Sequence, residues 1–482
     1  MLKTGAQYIE SIKAMRPNIY KWGKLIEDVT TNPATKAHVE CVAKCYDAAF
    51  DPEKAPIYTN TSALSGQTAH RWNTLMATAE DVAGNAHMKR DSYHMNGSCT
   101  GTICAGWTVL NAHFGPSKRC DEKYGTHYHE NLRAFLKECE DNAYGLAGCL
   151  TDAKGNRALT ADKQPDKNAY LHFEKVDGGI KLNGYKIQIC GVAGCNYIVV
   201  MPTTGFGPDA KEFAVVAATP RDSEGITIVE TRRPSDTRAE EEGWDGIKAG
   251  TTQAFIIFED VFVPDNHVFL AGENEFAAQV LGNFTNIYRA AIGSCVGGQG
   301  DLMAGAAIAI ARANGLTQKA FQDKLTNIAM INNITIGLGL GAIMMGHDDG
   351  GVWIPDTALA HTNKVQVGLI PYEAKRLAVE IAGGIAETGC IPSYIDMTSP
   401  IYGDKLMKSM DAGSGAEDRI KLARLMEWIN VGAGIPGCMH GGGSPDTARM
   451  LVKGATPWEY YVNCAKKVVG IPEDHLVEAK KK

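Results

Sequence analysis

Ala254-Phe255-Ile256-Ile257-Phe258 closes a series of short β-rich runs on which the reading of the whole chain turns. Before it come Tyr170-Leu171-His172-Phe173, Ile180-Lys181-Leu182, Tyr197-Ile198-Val199-Val200-Met201 and Phe213-Ala214-Val215-Val216-Ala217, punctuated by Gly, Pro and Asp. Strands of this number predict a compact β domain, a barrel or a sandwich, over residues 146–265. Asp177-Gly178-Gly179 and Leu182-Asn183-Gly184 read as tight turns inside it.

On either side the period changes to that of helices. In residues 1–145, Thr4 can cap a helix with Tyr8, Ile9 and Ile12 on its apolar face. Helical periods follow over Thr35–Phe50, Thr68–Ala83 and Tyr128–Asn142. Residues 266–482 predict a helical bundle from Glu275–Arg312, Lys319–Met345, Pro371–Ala386, Ala416–Val431 and Pro445–Val469. The expected class is α+β: an N-terminal helical domain, a middle β domain and a C-terminal bundle. Met330–Met345 is apolar but interrupted by Asn332 and Asn333, and reads as a buried helix, not a membrane span.

The 482 residues carry a net charge of −7, which speaks against nucleic acid as the main partner, because phosphate binding needs a basic face. No apolar leader follows Met1, so a cytoplasmic protein is expected. Thirteen cysteines in such a chain fit a reducing compartment better than a disulfide framework.

Two of those cysteines lie in Asn96-Gly97-Ser98-Cys99-Thr100-Gly101-Thr102-Ile103-Cys104-Ala105-Gly106, a Cys-x4-Cys among small residues. Thiolates at short spacing can hold iron or zinc, while most buried cysteines are inert small hydrophobes. Met439-His440-Gly441-Gly442-Gly443-Ser444-Pro445-Asp446 sets three glycines before a helix start, an arrangement suited to a pyrophosphate or to a plain inter-helix loop. Thr151, Lys154 and Arg157 offer a hydroxyl and two cations in a polar loop entering the β domain. Gln188 and Cys190 end a β-run before Gly191, where a side chain can face a cofactor ring. Tyr288 to Asp301 again surrounds a cysteine, Cys295, with small residues.

Together with Ala6-Gln7-Tyr8-Ile9-Glu10-Ser11, Lys123-Tyr124-Gly125-Thr126, Ser235-Asp236-Thr237-Arg238, Val261-Phe262, Pro264 and Ile381-Ala382-Gly383-Gly384, these stretches resemble the 4-hydroxybutyryl-CoA dehydratase/vinylacetyl-CoA isomerase family. That family belongs to the 4-hydroxyphenylacetate 3-hydroxylase-like flavoproteins. The resemblance implies an acyl-CoA dehydrogenase-like fold, bound FAD, a homotetramer built from dimers, and a channel for a CoA thioester or related acid. It places Thr151, Lys154, Arg157, Gln188, Cys190, Gly441, Gly442, Gly443 and Ser444 around the flavin. It also implies a [4Fe-4S] cluster, for which Cys99, Cys104 and Cys295 match the thiolate ligands.

The departures from the family pattern matter as much. The spacing Cys-x3-Cys is here Cys-x4-Cys, and the family's histidine ligand is Tyr288. The tyrosine and lysine beside the later cysteine are Ile292 and Val296, and the two pocket glutamates are Gln253 and Gly437. The threonine near the flavin is Cys190. Removing an α-proton needs a base within reach, and neither Gln253 nor Gly437 can be one. His440, Tyr288 and Cys190 are the candidate catalytic groups, with His440 equally readable as a residue bonded to its glycine loop. Cys190, Cys195 or Cys438 is available as a fourth iron ligand. The expected function is an FAD-dependent dehydratase/isomerase on a small acyl-CoA. A phenol-hydroxylating flavin monooxygenase and a flavin-binding electron carrier are the alternatives.

Overall fold

The computed structural model describes residues 1–231, 253–368, 370–388, 391–430 and 443–475. Its first strands come earlier than the helical pattern predicts. β1 (Ile19–Lys21) and β2 (Lys24–Ile26) form a hairpin, and β3 (Thr59–Thr61) pairs with β4 (Thr68–His70). β5 (Leu146–Cys149), β6 (His172–Val176), β7 (Gly179–Cys190), β8 (Tyr197–Val200), β9 (Val215–Pro220), β10 (Ile226–Glu230), β11 (Gln253–Pro264) and β12 (Val268–Ala271) follow. Among the described residues they build a six-stranded sheet, β2-β1-β10-β11-β7-β6, and a four-stranded sheet, β12-β9-β8-β5. The N-terminal hairpin therefore extends the middle sheet, with β1 parallel to β10.

Inward residues alternate along β7 through Ile180, Leu182, Gly184 and Lys186. The alternation then breaks. Gln188 has φ 57°, and Ile189 is the next inward side chain. Opposite it, Ile256 pairs with Lys186 and Ala254 with Ile189, so β7 carries one extra residue, a bulge that re-aims its last side chain, Cys190. Asp177-Gly178-Gly179 makes the β6–β7 turn as expected, with Gly178 in the left-handed region. Leu182-Asn183-Gly184 is not a turn but lies within β7, where a side chain at Gly184 would meet the Tyr170 carbonyl at 2.7 Å.

Nine helices are needed to place the site. α1 (Gly5–Lys13) starts at the expected Thr4, which forms a reciprocal cap with Gln7. α2 (Lys36–Asp47), α3 (Ala55–Tyr58), α4 (Ala79–Asn96), α5 (Ala105–Tyr124) and α6 (Tyr128–Asn142) follow. The helix expected over Thr68–Ala83 starts only at Ala79, capped by Thr78 and Asp81. Ahead of it the backbone is engaged by α5 instead: Trp107 donates to the Thr74 carbonyl and Asn111 accepts from the Met76 amide.

α7 (Asn274–Ala313) is the axis of the C-terminal half, with α8 (Lys319–Met344) and α9 (Thr357–Val367) packed along it. Its glycines serve close packing. A side chain at Gly298 would stand 2.8 Å from the Arg90 carbonyl, and one at Gly297 would stand 2.6 Å from Ile336. The expected helix over Pro445–Val469 is two helices, Pro445–Ala455 and Trp458–Val469, divided at Pro457, which has no N–H to continue the ladder. The expected helix over Pro371–Ala386 is likewise interrupted at Gly383, φ 77°.

α8 is not the buried helix that its sequence predicts. It is long and apolar enough to cross a membrane by length and composition, and 33% of its most apolar window is buried. α7 and α9 cover one face, while Met330, Ile334 and Met344 stay exposed on the other. One apolar core joins both sheets to α1, α2, α4 and α5, and a second fills the space between α7 and the later helices.

Candidate active site

The segment between α4 and α5 is fastened to the turn that follows β7. α4 ends on left-handed Gly97, and Cys104 is the residue before α5. Between them, buried Thr102 donates its hydroxyl to the Gly191 carbonyl at 2.7 Å and meets His38 Nε2 at 2.9 Å. The Tyr8 hydroxyl holds the far side of the same turn through the Gly194 carbonyl, also at 2.7 Å. Gly101 then lies directly on Cys190, since a side chain there would start 2.7 Å from Cys190 Cβ. The sequence elements around Cys99–Cys104 and around Cys190 are thus brought together.

Cys99 also packs against the core of Tyr93, Ile292, Cys295 and Val296, and Tyr288 packs against the same core. The Tyr288 ring stacks on Phe284 at 5.2 Å, and the Lys89 ammonium stands 5.4 Å from the ring centroid. Across the β7–β11 pairing, Gln253 donates its amide to Cys190 Sγ at 3.5 Å. Cys99, Cys104, Cys190 and Tyr288 are half-buried, and Cys295 is buried. Burial pushes the Cys45 and Cys120 thiols, and that of Cys195 at the end of the same turn, up to about 12, so they stay protonated.

Among the described residues, no three His, Cys, Asp or Glu side chains converge as a metal-binding group. Cys99 and Cys295 share one packed neighbourhood, but Cys104 is absent from it. The position at which the resemblance expects a histidine holds a phenol stacked on Phe284, with a lysine ammonium near its ring. Among the described residues this arrangement does not gather the ligands of an iron–sulfur cluster.

The cofactor-binding candidates lie on two walls. Asp152 bridges to β7 and pairs with Lys186 at 2.8 Å, both nearly inaccessible, and Lys186 also donates to the Leu150 and Met201 carbonyls. This pair anchors the loop that carries Thr151, Lys154 and Arg157. Lys154 adopts φ 68°, and burial followed by the nearby Arg157 charge lowers its pKa. Arg157 and Gln188 are exposed. On the other wall Gly443, φ 91°, leaves room for the guanidinium of Arg289, 3.2 Å from where a side chain would begin. Ser444 caps the helix that follows, as expected, by accepting from the Thr447 amide. His440, Gly441 and Gly442 lie outside the described residues, as do Gly437 and Cys438. The two cations of the loop, and separately the guanidinium behind an open-backed glycine, are groups of the kind that hold a phosphate.

Arg289 and its partner His361, 2.7 Å away, were not singled out by sequence, nor were Lys89, His38 and the lock at Thr102. Their roles depend on partners far along the chain, which no local pattern reports.

Profiles described as 4-hydroxyphenylacetate 3-hydroxylase, N terminal and C terminal, match residues 4–270 and 277–470. The 4-hydroxybutyryl-CoA dehydratase/vinylacetyl-CoA-Δ-isomerase of Clostridium aminobutyricum is 33% identical, covering 98% of this chain and 100% of its own. The oxygenase component of 4-hydroxyphenylacetate 3-monooxygenase from Klebsiella oxytoca is 23% identical over 93% of this chain and 88% of its own. Among solved structures, an oxygen-tolerant archaeal 4-hydroxybutyryl-CoA dehydratase from N. maritimus superposes with a TM-score of 0.94 at 30% identity, covering 100% of this chain and 97% of that one. A 4-hydroxyphenylacetate 3-monooxygenase oxygenase component complexed with FAD shares the fold, with a TM-score of 0.85 at 19% identity over 97% and 98% of the two chains.

Proposed function

The chain belongs to the 4-hydroxyphenylacetate 3-hydroxylase family, and from that premise we propose that it is an FAD-dependent dehydratase/isomerase-like enzyme acting on a small acyl-CoA. It is an enzyme of the lyase/isomerase or oxidoreductase kind, as its relatives are. The observation that carries the finer reading is the 33% identity to a dehydratase/isomerase along both complete lengths, against 23% for the monooxygenase.

The residues of the two walls would hold FAD: Lys154 and Arg157 with Thr151, and Gly443 and Ser444 with Arg289 behind them. Gln188, bulged out of β7, and Cys190 at its end are the groups proposed to face the ring. When bound, the flavin supplies hydride or electron transfer at the substrate's β-carbon.

The chain's own part is proton handling beside it. Moving the double bond of a 3-enoyl thioester to the 2-position takes a proton from the α-carbon and returns one to the γ-carbon. Cys190 and Tyr288 are the proposed carriers. The Gln253 amide donates toward Cys190 Sγ and orients it. His440 is a further candidate of the resemblance. The described residues gather no cluster ligand set, and no step here is routed through iron.

A homotetramer in the cytoplasm completes the proposal. The exposed apolar faces of α8 and of Trp458–Val469, with Trp458, Tyr460 and Tyr461 in the open, support burial against other copies.

The experiment is anaerobic conversion of 4-hydroxybutyryl-CoA to 2-butenoyl-CoA by the FAD-loaded protein, followed by chromatography. Conversion that Tyr288→Phe and Cys190→Ala each reduce at least tenfold is expected. Phenol hydroxylation with oxygen uptake and no change in any thioester would instead support the second reading, a flavin monooxygenase, which the ungathered cysteines also favour.

A further inference from the structure

Lys89 is 6% exposed, yet no carboxylate, carbonyl or hydroxyl oxygen among the described residues meets its ammonium. The Tyr288 ring, 5.4 Å from Nζ, is its neighbour. The face of a ring returns only part of what a cation loses on leaving water. Two other buried cations among the described residues meet several oxygens each. Lys186 has Asp152 and two carbonyls, and Arg71 has the carbonyls of Pro56, Ile57 and Thr59. An ammonium on so buried a side chain, with no oxygen of the described residues on it, is available to an anion.

The surroundings say where that anion would sit. Lys89 lies on α4, one turn before Tyr93, whose Cβ would stand 2.8 Å from a side chain at Gly298 of α7. Its side chain reaches Tyr288 of α7, which packs, as Cys99 does, on the core that includes Cys295. Tyr288 and Cys99 are half-buried, so this side of the seam is open to a ligand.

We propose that Lys89 is the anion-holding residue of the site, its ammonium paired with an oxyanion bound beside Tyr288. The inference rests on the thioester reading for its preferred source. When a base takes the α-proton of an acyl thioester, the electron pair left on carbon delocalises onto the thioester oxygen, and that enolate oxygen is the anion Lys89 faces. A free carboxylate offers the same chemistry from a different ligand.

Two probes separate these sources on the FAD-loaded protein. Acetoacetyl-CoA forms an enolate that absorbs in the near ultraviolet, and but-2-enoate is a free acid. The wild type should bind acetoacetyl-CoA with a larger enolate fraction at neutral pH than the free thioester has. Lys89→Met should reduce that fraction about tenfold or more, and Lys89→Arg should keep most of it. If acetoacetyl-CoA fails to bind but but-2-enoate binds and is weakened about tenfold by Lys89→Met, Lys89 holds a carboxylate and the thioester reading falls. If the wild type binds neither probe, or Lys89→Met binds both as the wild type does with the enolate fraction unchanged, the proposal is overturned. Lys89→Gln is read in the same way should Lys89→Met lose its FAD.

Discussion

Gly101 and Cys190 are in direct contact: a side chain on the glycine would begin 2.7 Å from Cys190 Cβ. A residue between the two cysteines of the α4–α5 segment therefore sets the position of a third cysteine from the middle sheet. Gly101→Ala must push the segment and the turn after β7 apart, which for overpacked interiors costs about 1–3 kcal/mol. A lower urea midpoint is expected, together with lost turnover in whatever protein remains folded, both measured on the same preparation.

Thr102 is the fastener of that contact, through the Gly191 carbonyl and His38. Thr102→Val keeps the shape and removes the hydroxyl, leaving a buried carbonyl and an imidazole nitrogen short of a partner. The expected loss is about 1–3 kcal/mol of unfolding free energy. Thr102→Ser should retain most of it, since the hydroxyl survives. Destabilisation by Thr102→Ser with none by Thr102→Val would point to the methyl group and away from the hydrogen bonds.

Lys186→Met tests the anchor of the 151–157 loop. It leaves the Asp152 carboxylate buried without its cation, and breaking such a pair typically costs about 3–5 kcal/mol. Burial already raises the Asp152 pKa against the pull of Lys186, so the variant should take up a proton there. FAD retention through gel filtration should fall with it, because Thr151, Lys154 and Arg157 hang from the same anchor.

Acid should weaken the fold through its buried histidines. Burial is the main cause that lowers the pKa of His70 to about 3, and of His113 and His361 to about 4, from 6.5. The Arg289 charge adds to the shift at His361. Each group binds fewer protons folded than unfolded between its folded value and 6.5. The stability it contributes is present in full above pH 6.5 and is lost as pH falls toward 4. Urea midpoints taken at a series of pH values should drop across that window. His361→Gln, which cannot take up the proton, should flatten part of the drop.

Much of this fold is readable from local pattern. Thr4 with Gln7, Gly178 in its turn, and Ser444 before Pro445 act where their chemistry places them. The failures have tertiary causes. Thr68–Ala83 has a helical period, but α5 captures its backbone through Trp107 and Asn111. Asn183-Gly184 resembles a turn, yet it is a close approach inside a strand. Lys319–Met345 is apolar enough to suggest burial, but its second face, with Met330, Ile334 and Met344, stays exposed among the described residues. At the site, Cys99, Cys190, Cys295 and Tyr288 were each legible as residues of interest; the Gly101 contact sets Cys190 against the Cys99–Cys104 segment, and Cys99 and Tyr288 pack on the core that holds Cys295. Lys89 was not legible, because nothing in its neighbours along the chain reveals that it is buried without a counter-charge.

The most direct test of the central claim is proton NMR of vinylacetyl-CoA incubated anaerobically in D2O with the FAD-loaded protein. The account predicts conversion to 2-butenoyl-CoA with deuterium entering at the α- and γ-carbons, and loss of both signals in Tyr288→Phe or Cys190→Ala protein that retains its flavin. An unchanged thioester carrying no deuterium, from protein with a full complement of FAD, would contradict it.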